Sequence, residues 1–315
     1  MAKSKPLARL VHRKSANEGT NSGGLVDSIT DPTELALALT DLNTRRILPY
    51  GNLRMSSLRA TCIREIIIGS KMRLKKSDFI DANLNVIFDI GHGLHWRVQN
   101  SDKYFKDMKY GYWRCVNCGK IYNDKLQMRP RICRNCNSYP TFEYIEVDLQ
   151  LKGITGHIDL LLKIPNKEVL RVMDIKTMKR DQYLELAAPV PDHTYQVTGY
   201  VFIADRMHQS NPWPMPVDTK KAYICYVCKE HAGRSVFPLK IFPITPEEFY
   251  FQDIENKIFT FTNMYDSATN KVYGLPPPID ECKNMRWASY RAKQCPAKDY
   301  CRGYYAKYEK GESNV

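Results

Sequence analysis

The sequence predicts an α/β protein: a mixed sheet core flanked by helices and interrupted by one small metal-binding module. Three observations carry that expectation. Helix starts with proline and glutamate in their first turns stand at Asp31-Pro32-Thr33-Glu34 and Thr245-Pro246-Glu247-Glu248. Between them, Phe142 to Leu151, Ile154 to Ile164 and Glu168 to Thr177 are rich in β-branched and aliphatic residues and are parted by turn-like segments such as Pro165-Asn166. Residues 110–140 break this pattern abruptly, being polar, aromatic and paired in cysteine.

In chain order, residues 1–30 read as a basic, then Gly/Ser/Asn-rich arm, either touching phosphates or merely solvated. The start at Asp31 leads a short helix over Leu35, Leu39 and Leu42. A second helix is expected from Ser56 to Ile68. A third is expected from Asp78 to Val98, where Ile80, Leu84, Ile87, Leu94 and Val98 fall near helical spacing. After the cysteine module and the β-rich runs, Asp192 is placed as the cap of a helix through Met207. Strands follow at Ala222–Val227 and Val236–Phe242, then the helix from Thr245 to Tyr265, and Pro276 to Pro278 end the body. The expected segments are the arm at 1–30, an N-terminal helical part at 31–108, the module at 109–140, a core at 141–275 and a cysteine-bearing tail at 276–315.

Composition narrows the function. With 315 residues, 43% hydrophobic and 26% charged, the chain fits one large or two ordinary globular domains, not a disordered tail or a fibre. No apolar run approaches the ~18 residues of a membrane span, and no signal-peptide pattern opens the chain. An intracellular, soluble protein without a membrane partner is therefore expected. Its net charge of +13 points to a polyanionic partner. Ten cysteines in a reducing compartment favour metal over disulfides.

Cys115-x2-Cys118 and Cys133-x2-Cys136, fourteen residues apart, have zinc-ribbon spacing, in which four thiolates close a tetrahedron. Gly119 and Asn137 follow the second cysteine of each pair and tolerate the left-handed backbone such turns need. Basic residues from Lys109 to Arg134 surround the module, which serves either nucleic-acid contact or structure alone. Cys225 and Cys228 lie in Tyr-Ile-Cys-Tyr-Val-Cys, an apparent strand, where three residues at about 3.3 Å each place them on opposite faces. They are read as ordinary strand thiols.

Asp159 and Asp174 stand in apolar strand candidates, where an unpaired carboxylate costs several kcal/mol unless it holds a cation. Period two puts Asp174 and Lys176 on one face, so that a carboxylate can bind a divalent ion beside an ammonium that orients water. Asp107-Met108-Lys109 and Asp218-Thr219-Lys220 repeat the spacing in polar surroundings, so the triplet means little without its company. That company is Gly91-His92-Gly93-Leu94-His95, Gly156-His157-Ile158-Asp159, and Gln196 with Tyr200 at i, i+4.

In this order the motifs resemble the PD-(D/E)XK nuclease superfamily, and within it the RecB-like exonucleases, over about residues 54 to 301. The resemblance implies a restriction-endonuclease-like core. It also implies that His95, Asp159, Asp174 and the Ile175 carbonyl hold Mn²⁺ or Mg²⁺, that Lys176 positions the nucleophile, and that Gln196 and Tyr200 support the lysine or the DNA. His92 either assists His95 or lies on the helix surface. His157 either lines the cleft or is structural, and Gln196 and Tyr200 could be a polar patch only.

Cys62, Cys282, Cys295 and Cys301 resemble the cluster ligands of AddB-type and CRISPR-associated nucleases, which implies a [4Fe–4S] cluster joining the N-terminal helix to the tail. Twelve residues part Cys282 from Cys295, more than the family pattern has, and a second zinc or no metal are the alternatives. Arg54, Arg59, Arg64, Lys71, Arg73, Lys75 and Lys76, with Lys283, Arg286, Arg291, Lys293, Lys298 and Arg302 and the interleaved Tyr290, Tyr300, Tyr304 and Tyr305, either form a basic surface suited to single strands or are solvated charge with core tyrosines. The expected function is hydrolysis of DNA ends or single strands in recombination, repair or replication, in the cytoplasm or nucleoid, or in the host cytoplasm if phage-encoded, alongside replication or recombination proteins. The alternatives are a non-cleaving DNA-binding scaffold and a structure-specific endonuclease.

Overall fold

In the computed structural model the described residues are 44–80, 82–101, 103–105, 107–139, 141–211, 213–230, 238–284 and 289–304. The arm and the helix expected at Asp31 lie outside them, as does Tyr305. The chain divides into two units, Met1–Arg45 with Phe79–Asn85, and Arg46–Asp78 with Val86–Val315. The first has few described residues; the second carries the site.

β10 (Leu170–Met178) lies inside an open mixed sheet. It runs parallel to β11 (Ala222–Cys228) and antiparallel to β9 (Leu160–Lys163). The order is β12 (Leu239–Ile244), β11, β10, β9, β4 (Lys109–Cys115), β5 (Ile121–Met128), with β6 (Phe142–Ile145) also on β4. A parallel pair needs a crossover, and here it is made by two helices, Arg180–Glu185 and Pro191–Ser210. A smaller sheet joins β2 (Leu53–Arg54), β8 (Ile154–Ile158) and β7 (Val147–Leu151), and β1 (Thr44–Pro49) pairs with β3 (Lys75–Ile80).

Both faces of β10 are covered, which is why it reads as one apolar run. Val172 joins Ile224, Tyr226, Val197 and Val201 in one cluster. Met173 and Ile175 join Cys225, Val227 and Val98 in another. Cys225 and Cys228 are thus buried on opposite faces of β11, in different clusters.

Several elements depart from expectation. The helix over Ser56–Ile68 is two pieces, a 3₁₀ turn at Met55–Ala60 and a helix at Ile63–Lys71. Thr61 Oγ1 donates to the Ser57 carbonyl at 2.8 Å, and such side-chain bonds compete with helix continuation. Cys62 therefore becomes an N-cap. The third helix spans Ala82–Asn100, because residues from Lys75 to Ile80 instead find a strand partner in β1. Asp192 lies in the first turn of its helix, behind Val190, where its charge suits the dipole and pairs with Arg59. The Thr245 helix begins only at Glu248.

Two further breaks matter most. The run from Phe142 splits into β6 and β7 at Glu146, and the run from Ile154 splits into β8 and β9 at Asp159. At each break the chain passes from one sheet to the other. Among the described residues, no helix is long and apolar enough to cross a membrane.

Candidate metal centres

The seam between the sheets gathers the acidic residues. β10 delivers Asp174 and Lys176 side by side, with Nζ 2.8 Å from Asp174 Oδ2. That contact is an ion pair with poor hydrogen-bond angles, so the oxygen of this 1% exposed residue has no hydrogen-bond donor. Asp159 Oδ2 accepts the backbone N–H of Ile175 at 2.6 Å. The helix Ala82–Asn100 brings His95, its Nδ1 3.7 Å from the same oxygen. One turn on, the buried Gln99 donates Nε2 to Glu146 Oε1 at 2.9 Å and to the Asp159 carbonyl at 3.1 Å. Ligand atoms of His95, Glu146 and Asp159 all lie within 4.8 Å of one another, so this group could hold a metal ion.

The electrostatics agree with that geometry. Burial, and then the neighbouring Asp174 charge, push Asp159 well above the usual carboxylate range. Burial also raises Asp174, against the pull of Lys176. His95 is lowered to about 4 by burial and then by Lys176, leaving a neutral imidazole with a free lone pair at neutral pH. Two buried acids and a neutral imidazole are arranged as cation ligands usually are.

Gln196 and Tyr200 lie on the helix Pro191–Ser210, and Gln196 Nε2 donates to the Tyr200 hydroxyl at 2.6 Å. Both are buried, and Tyr200 is raised first by burial and then by the Asp174 charge. Gly156 makes room for this tyrosine: an added Cβ would lie 2.9 Å from its ring and 3.3 Å from Met55 Cβ. Gly156→Ala is expected to cost about 1–3 kcal/mol, read by denaturant melt, from such overpacking. Gly51→Ala, which meets nothing within 4 Å, is the control. Equal stability of the two variants would remove this role for Gly156.

The structure chooses between the open readings of two histidines, and one residue was missed. His157 does not line the seam: its strand ends at Ile158, and the exposed imidazole pairs with Asp148 at 2.7 Å. Period two cannot be carried across the break at Asp159. His92 is exposed on its helix. Glu146 had no motif, yet a signal existed. Phe142 and Tyr144 are buried, and so are Val147 and Leu149, so the alternation changes phase between Tyr144 and Val147.

The first cysteine set closes tightly. Sγ atoms of Cys115 and Cys136 are 3.8 Å apart, and those of Cys118 and Cys133 are 3.6 Å apart. All four are mutually within 4.8 Å, and a tetrahedral ion with bonds of about 2.3 Å wants sulfurs about 3.8 Å apart. Gly119 and Asn137 have φ of 74° and 48°, the left-handed backbone both turns require. Burial opposes ionisation of Cys133, but bonds from the Tyr122 hydroxyl and from the backbone near Cys136 and Asn135 outweigh it and bring the thiol to about 6. Lys109 is no surface charge: it is buried and donates to the Gln99 and Ser101 carbonyls at 2.7 and 2.9 Å, closing the C-terminus of the His95 helix.

The second set is wider. Cys62, Cys282, Cys295 and Cys301 line one pocket together with Ile279 and Ala297. Four thiols gathered in this way suit either a zinc ion or an iron–sulfur cluster. Burial raises Cys295 to about 12 and Cys301 to about 11, so metal binding here would have to displace protons. Arg64, expected at the surface, is fully buried, with Nε 3.1 Å from Cys301 Sγ and Nη1 2.7 Å from the Pro276 carbonyl. Tyr290 and Tyr300 are exposed.

The chain is therefore a mixed α/β protein, and among the described residues two groups of side chains could bind metal, the four cysteines of the β4 module and the His/Glu/Asp group at the seam. Against known proteins, no family model and no curated protein matches this chain.

Proposed function

We propose that the protein is a metal-dependent deoxyribonuclease of the PD-(D/E)XK, RecB-like kind, built on a restriction-endonuclease-like core and acting on DNA ends or single strands. The observation that carries the reading is the juxtaposition of Asp174 and Lys176 on β10 with Asp159, which is bonded to the intervening Ile175 N–H. His95 stands beside this group. A divalent ion bound here would supply Lewis-acid activation of water and stabilise charge on the leaving oxygen. Lys176, with its side chain 21% exposed, can reach a water molecule while Asp174 holds the ammonium in place. Gln196 and Tyr200 stiffen the wall opposite. A net charge of +13 suits the DNA backbone.

Mixed oxygen and imidazole donors suit Mn²⁺ or Mg²⁺. The tight cysteine set suits zinc and the wider one a [4Fe–4S] cluster. The test is purified protein with Mn²⁺ or Mg²⁺ on linear and circular DNA, single- and double-stranded. Loss of linear substrate alone supports an exonuclease, and nicked circles support a structure-specific endonuclease. No cleavage of any substrate overturns the reading and leaves a DNA-binding scaffold. Anaerobically purified protein should contain about four iron atoms and one zinc per chain; zinc alone would remove the iron–sulfur assignment.

A further inference from the structure

The ligand set implied by the family resemblance leaves Glu146 out. The strand register brings it in. β7 and β8 pair antiparallel with Val147 opposite Ile158. Glu146 and Asp159 each lie one residue beyond that last pair, where both chains leave the small sheet for the large one. Two carboxylates this close repel each other unless a proton or a cation is shared between them.

Neighbouring side chains hold the pair in place. Gln99, only 6% exposed, spends its amide on both residues, donating to Glu146 Oε1 at 2.9 Å and to the Asp159 carbonyl at 3.1 Å. His95 lies one turn away on the same helix face and turns its imidazole toward Asp159. The three ligand atoms fall within 4.8 Å of one another. Asp174, buried beside Asp159, pairs with Lys176 at 2.8 Å.

We propose that Glu146 is a direct ligand of the divalent cation, taking its place in the seat beside His95 and Asp159. One imidazole and two carboxylates leave coordination positions open for water and substrate oxygens, and they favour Mn²⁺ over Ca²⁺ or a soft metal. Gln99 is the positioning residue that aims Glu146. The proposal deepens the metal-dependent reading and rests on it for the presence of a cation, not for the cutting of DNA.

The test is Mn²⁺ titration of the full chain, following free Mn²⁺ by electron paramagnetic resonance, without substrate. Glu146→Gln, which keeps size and shape, is expected to bind Mn²⁺ at least tenfold more weakly, about the loss seen when a site loses support. Glu143→Gln is the control, because Glu143 faces Arg114 at 3.6 Å, and its affinity should not change. Wild-type affinity in E146Q overturns the proposal. If E146Q fails to fold, Gln99→Leu takes its place: a several-fold weaker affinity supports the proposal, and an unchanged one overturns it. Failures are separable. Wild-type protein that binds Mn²⁺ through Glu146 but leaves DNA intact keeps this seat and loses the nuclease. A chain that cuts DNA while E146Q binds Mn²⁺ normally keeps the nuclease and loses the seat.

Discussion

Replacing Lys176 with methionine is expected to lower DNA cleavage by about 10²- to 10⁴-fold, the usual worth of a positioned proton-transfer group, while DNA binding persists. Methionine fills the lysine stem but cannot hold water or pair with Asp174. Asp174 is already raised by burial and loses the charge that lowers it, so its carboxyl becomes easier to protonate. The measurement is single-turnover cleavage of end-labelled DNA with Mn²⁺, alongside filter binding and a thermal melt. Cleavage within about threefold of wild type, in a folded variant, would remove Lys176 from the chemistry. Loss of cleavage together with loss of binding would place it in substrate capture instead.

Cys133→Ser is expected to cause the largest loss of stability. Structural zinc contributes about 10–16 kcal/mol of apparent binding free energy in small finger peptides, and the module has little core of its own. The effect should not stay local. Cys115 ends β4, which pairs with β6, β9 and β5. Trp113 on β4 packs edge-on against Tyr144 at 5.3 Å, and the Tyr144 hydroxyl accepts from Leu161 N at 3.1 Å, two residues past Asp159. Zinc loss should therefore loosen the strands that lead into Glu146 and Asp159. At about 2–4 °C per kcal/mol for a protein of this size class, a melting drop well above 10 °C is expected, with zinc absent by mass spectrometry. A melt within about 2 °C of wild type would show that the thiols do not hold the sheet together.

The two D-x-K triplets outside β10 show how far spacing reaches. Asp218 serves Arg171 at 2.8 Å rather than any site, and Lys109 caps a helix. What separates them from Asp174 is its company, with Asp159 and His95 beside it. The two cysteine turns were legible because they are local, two residues between thiols and one left-handed residue after. Asp174 and Lys176 were legible because period two holds along an unbroken strand. Cys62 was placed inside a helix because the pattern Ser56 to Ile68 does not reveal the Thr61 side-chain bond that stops it.

By itself the sequence determined the cysteine knuckles, the acidic β10 strand with its lysine, and the glutamine–tyrosine pair one helical turn apart, all set by contacts within a few residues. Tertiary structure alone decided that Glu146 stands beside Asp159, that His157 turns away to Asp148, that Arg64 is buried against Cys301, and that four distant cysteines line one pocket. The physical reason is register. Side-chain period is written in the chain, but which residue stands opposite which depends on pairing between segments, and a single break between sheets resets the faces beyond it.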